Sequence, residues 1–447
     1  MTQAELRQRL VTLGTNGRYG LFFTAGAILT LVGIALFVYA LLSGHGERAW
    51  HLFHVNWLFF TGITIGSLAL TAVHKTANAK WSGVILRFSE ATVFFAVVSL
   101  VGLILIFTAG YQPIFGHMHE QLHSLSHGKA LWLSYPFMFG RLLVGLLALY
   151  GVGWAMVRAD LVPDLELAKR AVSDQRLTLY ERMTRGFDVS PAGRAAHHAR
   201  LNRLAAIFIP LYAIVATLVA FDGIMALQPH WFSNLLGGFY FMGSFLGAHM
   251  ALALLMLYGR RHLGIVDLVS PKQRHDLGKL CFGFTVFWAY LMWSQFLVIW
   301  YGNLPEETGF VFARVWGPWV PIARAVFIGM FLAPFWGLLF VSAKKSPFML
   351  GGFALVSVVS LWLERYLLVT PSITKEHGPV FGLPEAGPTL ALLGLFLLCY
   401  ALFARRFPMI SPRLAEITIG REVHHEASEF EHDEKPKDYA HPKELEA

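Results

Sequence analysis

Charge is scarce in this chain. Of its 447 residues, 14% are Asp, Glu, Lys or Arg and 55% are hydrophobic, whereas an ordinary soluble domain carries about 25% charged residues. Cysteine is nearly absent. Cys281 and Cys399 are the only two, and each lies in an apolar run. Two isolated thiols make neither a disulfide framework nor a metal cage. Without Cys clusters or a Cys-x-x-Cys-His motif, the chain offers no iron–sulfur or c-type haem site of its own. The alternating segments of about ten residues that mark a closed β-barrel are also missing. The polar start, Met1–Arg18, precedes an apolar run too long for a signal peptide, which predicts no cleaved leader.

Long apolar runs are what the chain has in abundance. Crossing the hydrocarbon core takes about 20 apolar residues as a helix. Ten segments qualify: 19–43, 50–73, 82–109, 131–157, 202–227, 234–259, 276–301, 318–343, 347–369 and 384–404. The formal charge of +8 would suit nucleic acid, but its distribution points to a membrane. Basic residues crowd alternate loops: Arg7, Arg9 and Arg18; Lys75 and Lys80; Arg158 through Arg203; Arg260, Arg261, Lys272 and Arg274; Lys344 and Lys345; Arg405, Arg406 and Arg413. The opposite loops carry single basic residues at Arg48, Lys129, Arg314 and Lys375. The positive-inside rule then puts both termini in the cytoplasm.

The predicted fold is an all-α polytopic membrane protein of about ten spans. Spans 2–5 and 6–9 run in the same orientation, as two four-helix bundles of a parallel repeat, with spans 1 and 10 flanking them. In residues, 1–18 is a cytoplasmic N-terminus and 19–49 carries the first helix. The first bundle covers 50–230 and includes a long cytoplasmic loop, 158–200. The second bundle covers 231–371, the last helix 384–404 and a cytoplasmic tail 405–447. Pro163–Arg185 has helix-like spacing. Residues 414–447 are rich in Glu, Lys, His and Pro, which predicts a mobile tail.

Charges at membrane depth are costly and usually functional. Asp222 and Glu364 each sit near the outer end of a span, with a proline seven residues later at Pro229 and Pro371. Arg141 and Arg324 lie in the preceding apolar helices. With Arg365 they are expected to form an outer cluster. They serve either as structural pins or as a polar wall for a quinone headgroup or a proton exit. A second set lies toward the cytoplasm: His74, Arg87, Glu90, His249, His275, Asp276 and Lys279. Glu90 is about 12 Å into its span at 1.5 Å per residue. Burial penalises the charged forms of acids and imidazoles alike, and groups of that kind can pass protons; the alternative is satisfied core polars. Span seven adds a stripe of Asp276, Lys279, Tyr290, Ser294 and Tyr301, with Gln295 adjacent. Such a stripe should face protein or water rather than lipid and so join the two sets, or else serve interhelical hydrogen bonding. His117, His119, His123 and His127 have the spacing of a metal site, but only Glu120 is nearby, so a solvated or partner-facing loop is expected and no metal is assigned. Pro210 and Pro334 are candidate kinks.

Several motifs carry a resemblance. Phe221–Ser233 (FDGIMALQPHWFS), Gly237–Ser244 (GGFYFMGS), His275–Leu280 (HDLGKL), Phe287–Tyr290, Trp293–Phe296, Ile299–Thr308 (IWYGNLPEET) and Leu363–Tyr366 (LERY) together resemble the NrfD-like, polysulfide-reductase-type membrane subunits of alternative complex III, the second of the two in particular. The family often has an aromatic residue where this chain has Gly223, which bears on local packing only. The resemblance implies a membrane subunit of a quinol:electron-acceptor oxidoreductase passing electrons toward a c-type cytochrome or a terminal oxidase. It implies quinone or quinol as the bound molecule and haem and iron–sulfur clusters only in partner subunits. Those partners would be a sister NrfD-like subunit, an iron–sulfur subunit, multihaem and monohaem cytochrome c subunits and small membrane-anchored subunits. A haem–copper oxidase in a supercomplex and lipids would complete the set, with no nucleic acid. It also implies proton half-channels. A purely structural subunit and a stand-alone secondary transporter are the rival readings, although no paired Gly/Pro interruption marks a transport site.

Overall fold

The computed structural model describes residues 3–15, 19–374 and 378–419. Arg18, Lys375 and the tail beyond residue 419 lie outside the described residues. Among those described, every regular element is helical. Ten helices are long and apolar enough to cross a membrane: span 1 (Gly20–Leu42), span 2 (Gly46–Thr76), span 3 (Leu86–Thr108), span 4 (Tyr135–Ala168), span 5 (Pro191–Gly223), span 6 (Leu235–His262), span 7 (Pro271–Gly302), span 8 (Gly317–Leu339), span 9 (Pro347–Ile373) and span 10 (Leu383–Arg406). An even number of crossings leaves both ends of the described chain on one side, the proximal end; the other is the distal end.

The apolar runs fix where the spans lie, but capping chemistry fixes where they start. Spans 5, 7 and 9 each open at the proximal end with Ser-Pro. Ser190, Ser270 and Ser346 accept hydrogen bonds from the backbone N–H groups of Gly193, Gln273 and Met349. Each proline fills the first helical position, where no N–H is needed. Span 5 therefore begins eleven residues before its apolar run, at Pro191 rather than 202. Span 4 extends the other way, through Pro163 to Ala168. The predicted loop 158–200 is thus two helix ends and one further helix, Asp174–Thr184.

Span 2 is the centre of the molecule. It packs against spans 3, 5, 6, 9 and 10, and nearly every residue from Ala49 to Lys75 is buried. Asn56 within it donates to Thr389 of span 10 at 2.9 Å and accepts from the Trp362 indole of span 9 at 2.8 Å. Spans 2–5 contact one another, as do spans 6–9. Spans 1 and 10 pair more extensively than any other two helices, so they form an antiparallel couple rather than separate flanks. Gly26, Thr30 and Gly33 on span 1 face Gly387, Ala391 and Gly394 on span 10, small residues at the same four-and-three spacing. A Cβ on Gly33 would lie 2.2 Å from the Ala391 nitrogen. Small residues of this kind let helix backbones meet inside lipid.

Two spans are irregular. Span 3 passes through a 3₁₀ segment, Ala91–Phe95, directly after Glu90. Span 8 carries a π-turn, Ile328–Leu332, just before Pro334; a proline has no N–H to return to the preceding turn. Span 5 runs through Pro210 as one helix. The proximal end is capped by chain expected to be mobile. A helix over 412–419 packs back on the bundle, with Ala415 and Thr418 buried. Arg7 donates to Glu416 at 2.6 and 2.7 Å, and Thr418 donates to the Lys80 carbonyl at 2.6 Å. That part of the tail buries apolar surface, contrary to its composition.

Candidate functional site

The strongest concentration of buried charge lies toward the proximal end of the first bundle. Arg87, 1% exposed, is the hub. Its Nη1 donates to Glu90 at 2.6 Å, its Nη2 donates to Asp164 at 2.7 Å, and Nη2 lies 3.1 Å from Asp160. Lys75 donates to Asp160 at 2.6 Å and stands 3.9 Å from Glu90. Arg413, from the chain after span 10, also reaches Asp160 at 3.1 Å. Three cations thus face three carboxylates, which offsets a desolvation cost none could bear alone. The balance is not complete in hydrogen bonds: Arg87 Nε, Glu90 Oε1 and Asp164 Oδ1 are buried without partners.

Arg87 and Glu90 belong to the inner set expected from sequence, while Lys75, Asp160, Asp164 and Arg413 do not. Lys75 and Arg413 read as orientation charges in loops. Asp160 and Asp164 fell past the expected end of span 4. The signal was present as Asp160-x-x-x-Asp164, an i, i+4 pair on one helical face, interleaved with Leu161, Val162 and Leu165. Pro163 hid it by looking like a stop.

His74 and His249 are buried on spans 2 and 6 and lie within electrostatic reach of each other. Each donates Nδ1–H to the carbonyl one turn back, Leu70 and Phe245 respectively, at 2.8 Å. That fixes the neutral tautomer and leaves Nε2 as the basic nitrogen. His275, Asp276 and Lys279 do not join them. Asp276 and Lys279 pair with each other at 2.7 Å, one turn apart at the proximal start of span 7, with Lys279 exposed.

Farther up the first bundle, Tyr150 donates to Ser99 Oγ at 2.8 Å, and Ser99 and Thr61 share a hydrogen bond of 2.7 Å. All three are buried. Nearer the distal end, Arg141 grips Asp222 through Nε at 2.7 Å and through Nη2 in a second, shorter contact. Its guanidinium also donates to the Trp132 carbonyl at 2.6 Å and stacks on that indole at 3.9 Å. Next to Asp222, the Gly223 carbonyl accepts from His54 Nε2 at 2.7 Å. A Cβ at Gly223 would come within 2.9 Å of the Leu58 Cδ2 methyl, so a larger residue there would require Leu58 to move. Nothing in the pattern around His54 marked it in the sequence.

The outer set is not one cluster. Glu364 and Arg365 lie in the second bundle, 2.8 Å apart and buried. Arg365 Nη2 donates to the Tyr240 carbonyl at 3.3 Å and Ser244 Oγ at 3.4 Å, and its guanidinium stacks on the Tyr240 ring. Arg324 does not meet Glu364. It is exposed on the outside of span 8, because the helical face that carries it points away from spans 7 and 9. The span-seven stripe is corrected for the same reason: Tyr290 is 60% and Tyr301 86% exposed, with Ser294 and Gln295 half-buried. It lies on the outer surface of the chain and does not link the inner and outer charges through the interior. At the distal surface, His117 pairs with Glu120 at 4.0 Å and Gln121 at 2.7 Å. Among the described residues, no three His, Cys, Asp or Glu side chains gather as a metal site.

The chain is similar to the C component of selenate reductase from Mesobacillus selenatarsenatis, 24% identical over 376 residues, covering 80% of this chain and 83% of that protein. No family model matches. The similarity runs across most of a polytopic helical membrane protein and is to one subunit of a reductase.

Proposed function

We propose that this chain is the second NrfD-like membrane subunit, ActF, of an alternative complex III in a bacterial cytoplasmic membrane. In that assembly it scaffolds the partner subunits and conducts protons while quinol oxidation sends electrons toward a c-type cytochrome or a terminal oxidase. The reading is supported by the family motifs and by similarity to a subunit of another reductase. The observation that carries the proton role is the six-membered charge cluster around Arg87. It lies among helices of membrane-spanning length and holds Glu90 with one oxygen free of any hydrogen bond.

Charge handling at depth is expensive unless it serves a purpose. A structural pin needs one pair, whereas this site holds three acids and three bases. Glu90 Oε1 is the atom at which a proton would be held: it is buried without a hydrogen bond, as Asp164 Oδ1 is, and the neighbouring Ser89 hydroxyl donates to the Ser67 carbonyl of span 2, which sets Glu90 against that span. The basic Nε2 atoms of His74, near the proximal end of span 2, and of His249 on span 6, and farther toward the distal end the Tyr150–Ser99–Thr61 hydroxyls and His54 beside Asp222, offer donor–acceptor groups. This route runs through the first bundle and its seam with span 6 rather than along span 7.

The test is proton translocation by the assembled complex. Glu90→Gln and His249→Leu are expected to lower the number of protons moved per quinol oxidised while the subunits still co-purify. An unchanged ratio in both variants removes the proton role. Loss of the complex itself assigns the cluster to assembly, which is the structural alternative.

A further inference from the structure

Three cations are buried at the proximal end of the second bundle: Arg260, Arg274 and Lys344, 6%, 9% and 6% exposed. In the first bundle three cations face three carboxylates. Here, among the described residues, none of the three meets one. Arg274 donates to the Val269 and Lys345 carbonyls at 2.7 and 2.9 Å, and Lys344 donates to the Leu338 and Leu339 carbonyls at 2.8 and 3.0 Å. Arg260 has no described partner at all, and its Nε is buried without a hydrogen bond. The described acids at this end are taken: Asp267 pairs with Arg9 at 2.9 Å and Asp276 with Lys279 at 2.7 Å. Burying a charge without a counter-ion is costly.

Arg260 lines an open groove of about 680 Å³ between the proximal ends of spans 6 and 9. Arg261 and His262 stand beside it, Arg261 exposed. His262 Nε2 accepts the Tyr19 backbone N–H at 3.1 Å, which leaves its proton on Nδ1 as a donor. From the opposite side comes the start of span 9 at Pro347 and Phe348, where a helix of 27 residues presents the positive end of its dipole. The carbonyls that end span 6 are already engaged: Gly259, Arg260 and Arg261 accept the backbone N–H groups of Leu263, Ile265 and Gly264 respectively. Among the described residues no carboxylate lines the groove. The rest of its wall is apolar, with Leu257 on span 6 and the exposed Phe348 and Leu355 on span 9. Two glycines keep it open. A Cβ on Gly351 would come within 2.9 Å of Leu257, and one on Gly352 would meet nothing within 4 Å.

The occupant must bring a negative charge that accepts several hydrogen bonds, and beside it apolar surface to cover Leu257, Phe348 and Leu355. A free phosphate has the first and lacks the second. A zwitterionic phospholipid carries an ammonium toward the guanidinium groups. We propose that this groove holds the phosphodiester of a two-chain anionic phospholipid, bound by Arg260, Arg261 and the start of span 9, with its acyl chains over Leu257, Phe348 and Leu355. Basic pockets between the spans of membrane proteins take headgroups of this class. The lipid is the counter-ion that the second bundle lacks, and it ties the ends of spans 6 and 9 together. Binding here requires neither the proton route nor a particular assembly.

The experiment is photolabelling of the purified full-length chain in detergent with phosphatidylglycerol that carries a diazirine on one acyl chain, followed by peptide mapping. Label is expected on 254–262 and 347–355, displaced by unlabelled phosphatidylglycerol and not by phosphatidylcholine or inorganic phosphate. Arg260→Gln, which breaks no described contact, is expected to weaken labelling about tenfold, the loss of one hydrogen bond to a charged group. Gly352→Trp fills the groove from a position with nothing within 4 Å and is expected to abolish labelling. Added phosphatidylglycerol should also raise the melting temperature of the wild type and leave that of Arg260→Gln where it was. Undiminished labelling of either variant, label confined to other segments, or equal displacement by phosphatidylcholine overturns the assignment. Displacement by inorganic phosphate overturns it in favour of a soluble anion.

Discussion

Arg87→Leu is expected to prevent accumulation of the folded chain. The substitution leaves Glu90, Asp160 and Asp164 buried against only Lys75 and Arg413, one negative charge in excess. Removing one partner of a buried pair costs about 3–5 kcal/mol, and here the lost partner serves three carboxylates. Whole domains are stable by only about 5–15 kcal/mol. The measurement is yield of detergent-extracted protein and its thermal unfolding. Because charge imbalance is the cause, Arg87→Leu combined with Glu90→Gln should recover part of the loss, and the double-mutant cycle should show coupling well above the roughly 0.3–0.5 kcal/mol of independent sites. Wild-type melting of Arg87→Leu would mean that the cluster carries no such burden.

Gly33→Leu is expected to separate spans 1 and 10. The new Cβ would meet the Ala391 nitrogen at 2.2 Å and Cα at 2.7 Å. Those are backbone atoms, which no rotamer change can move aside. Overpacking ordinarily costs about 1–3 kcal/mol and occasionally more; with a backbone-to-backbone seam on both sides, about 3 kcal/mol or more is expected. Gly20→Leu at the start of the same helix, where nothing lies within 4 Å, is the control and should melt as the wild type does. Equal melting of the two variants would contradict the close seam.

Hydropathy made the ten spans legible because length and apolarity are the requirements for crossing a bilayer, and both are one-dimensional properties. Asp222 with Arg141 was legible too, since each stood out in an apolar run. Lys75, Asp160 and Asp164 were not. They stand just past the apolar stretches, and their burial is created by span 4 continuing through Pro163 and by the segment after span 10 folding back, neither of which a hydropathy window sees. The failures at Arg324 and in span 7 have one origin. A polar residue in a span must avoid lipid, but sequence does not say whether it does so by facing its own chain or by facing outward, and these residues face outward. The acid–proline repetition at Asp222 and Glu364 suggested matching arginine partners; Glu364 instead lies against its chain neighbour Arg365.

Span 2 touches protein on every side, and its helpers arrive late. Asn56 finds its two partners, Trp362 and Thr389, only in spans 9 and 10, which leave the ribosome more than 300 residues after it. Until then the Asn56 amide has only the Leu52 carbonyl of its own helix, whereas His51 and His54 are met earlier, by the Pro113 and Gly223 carbonyls. Biogenesis of this protein is therefore a race between the last two hairpin partners and whatever insertion factor or protease meets the second helix first.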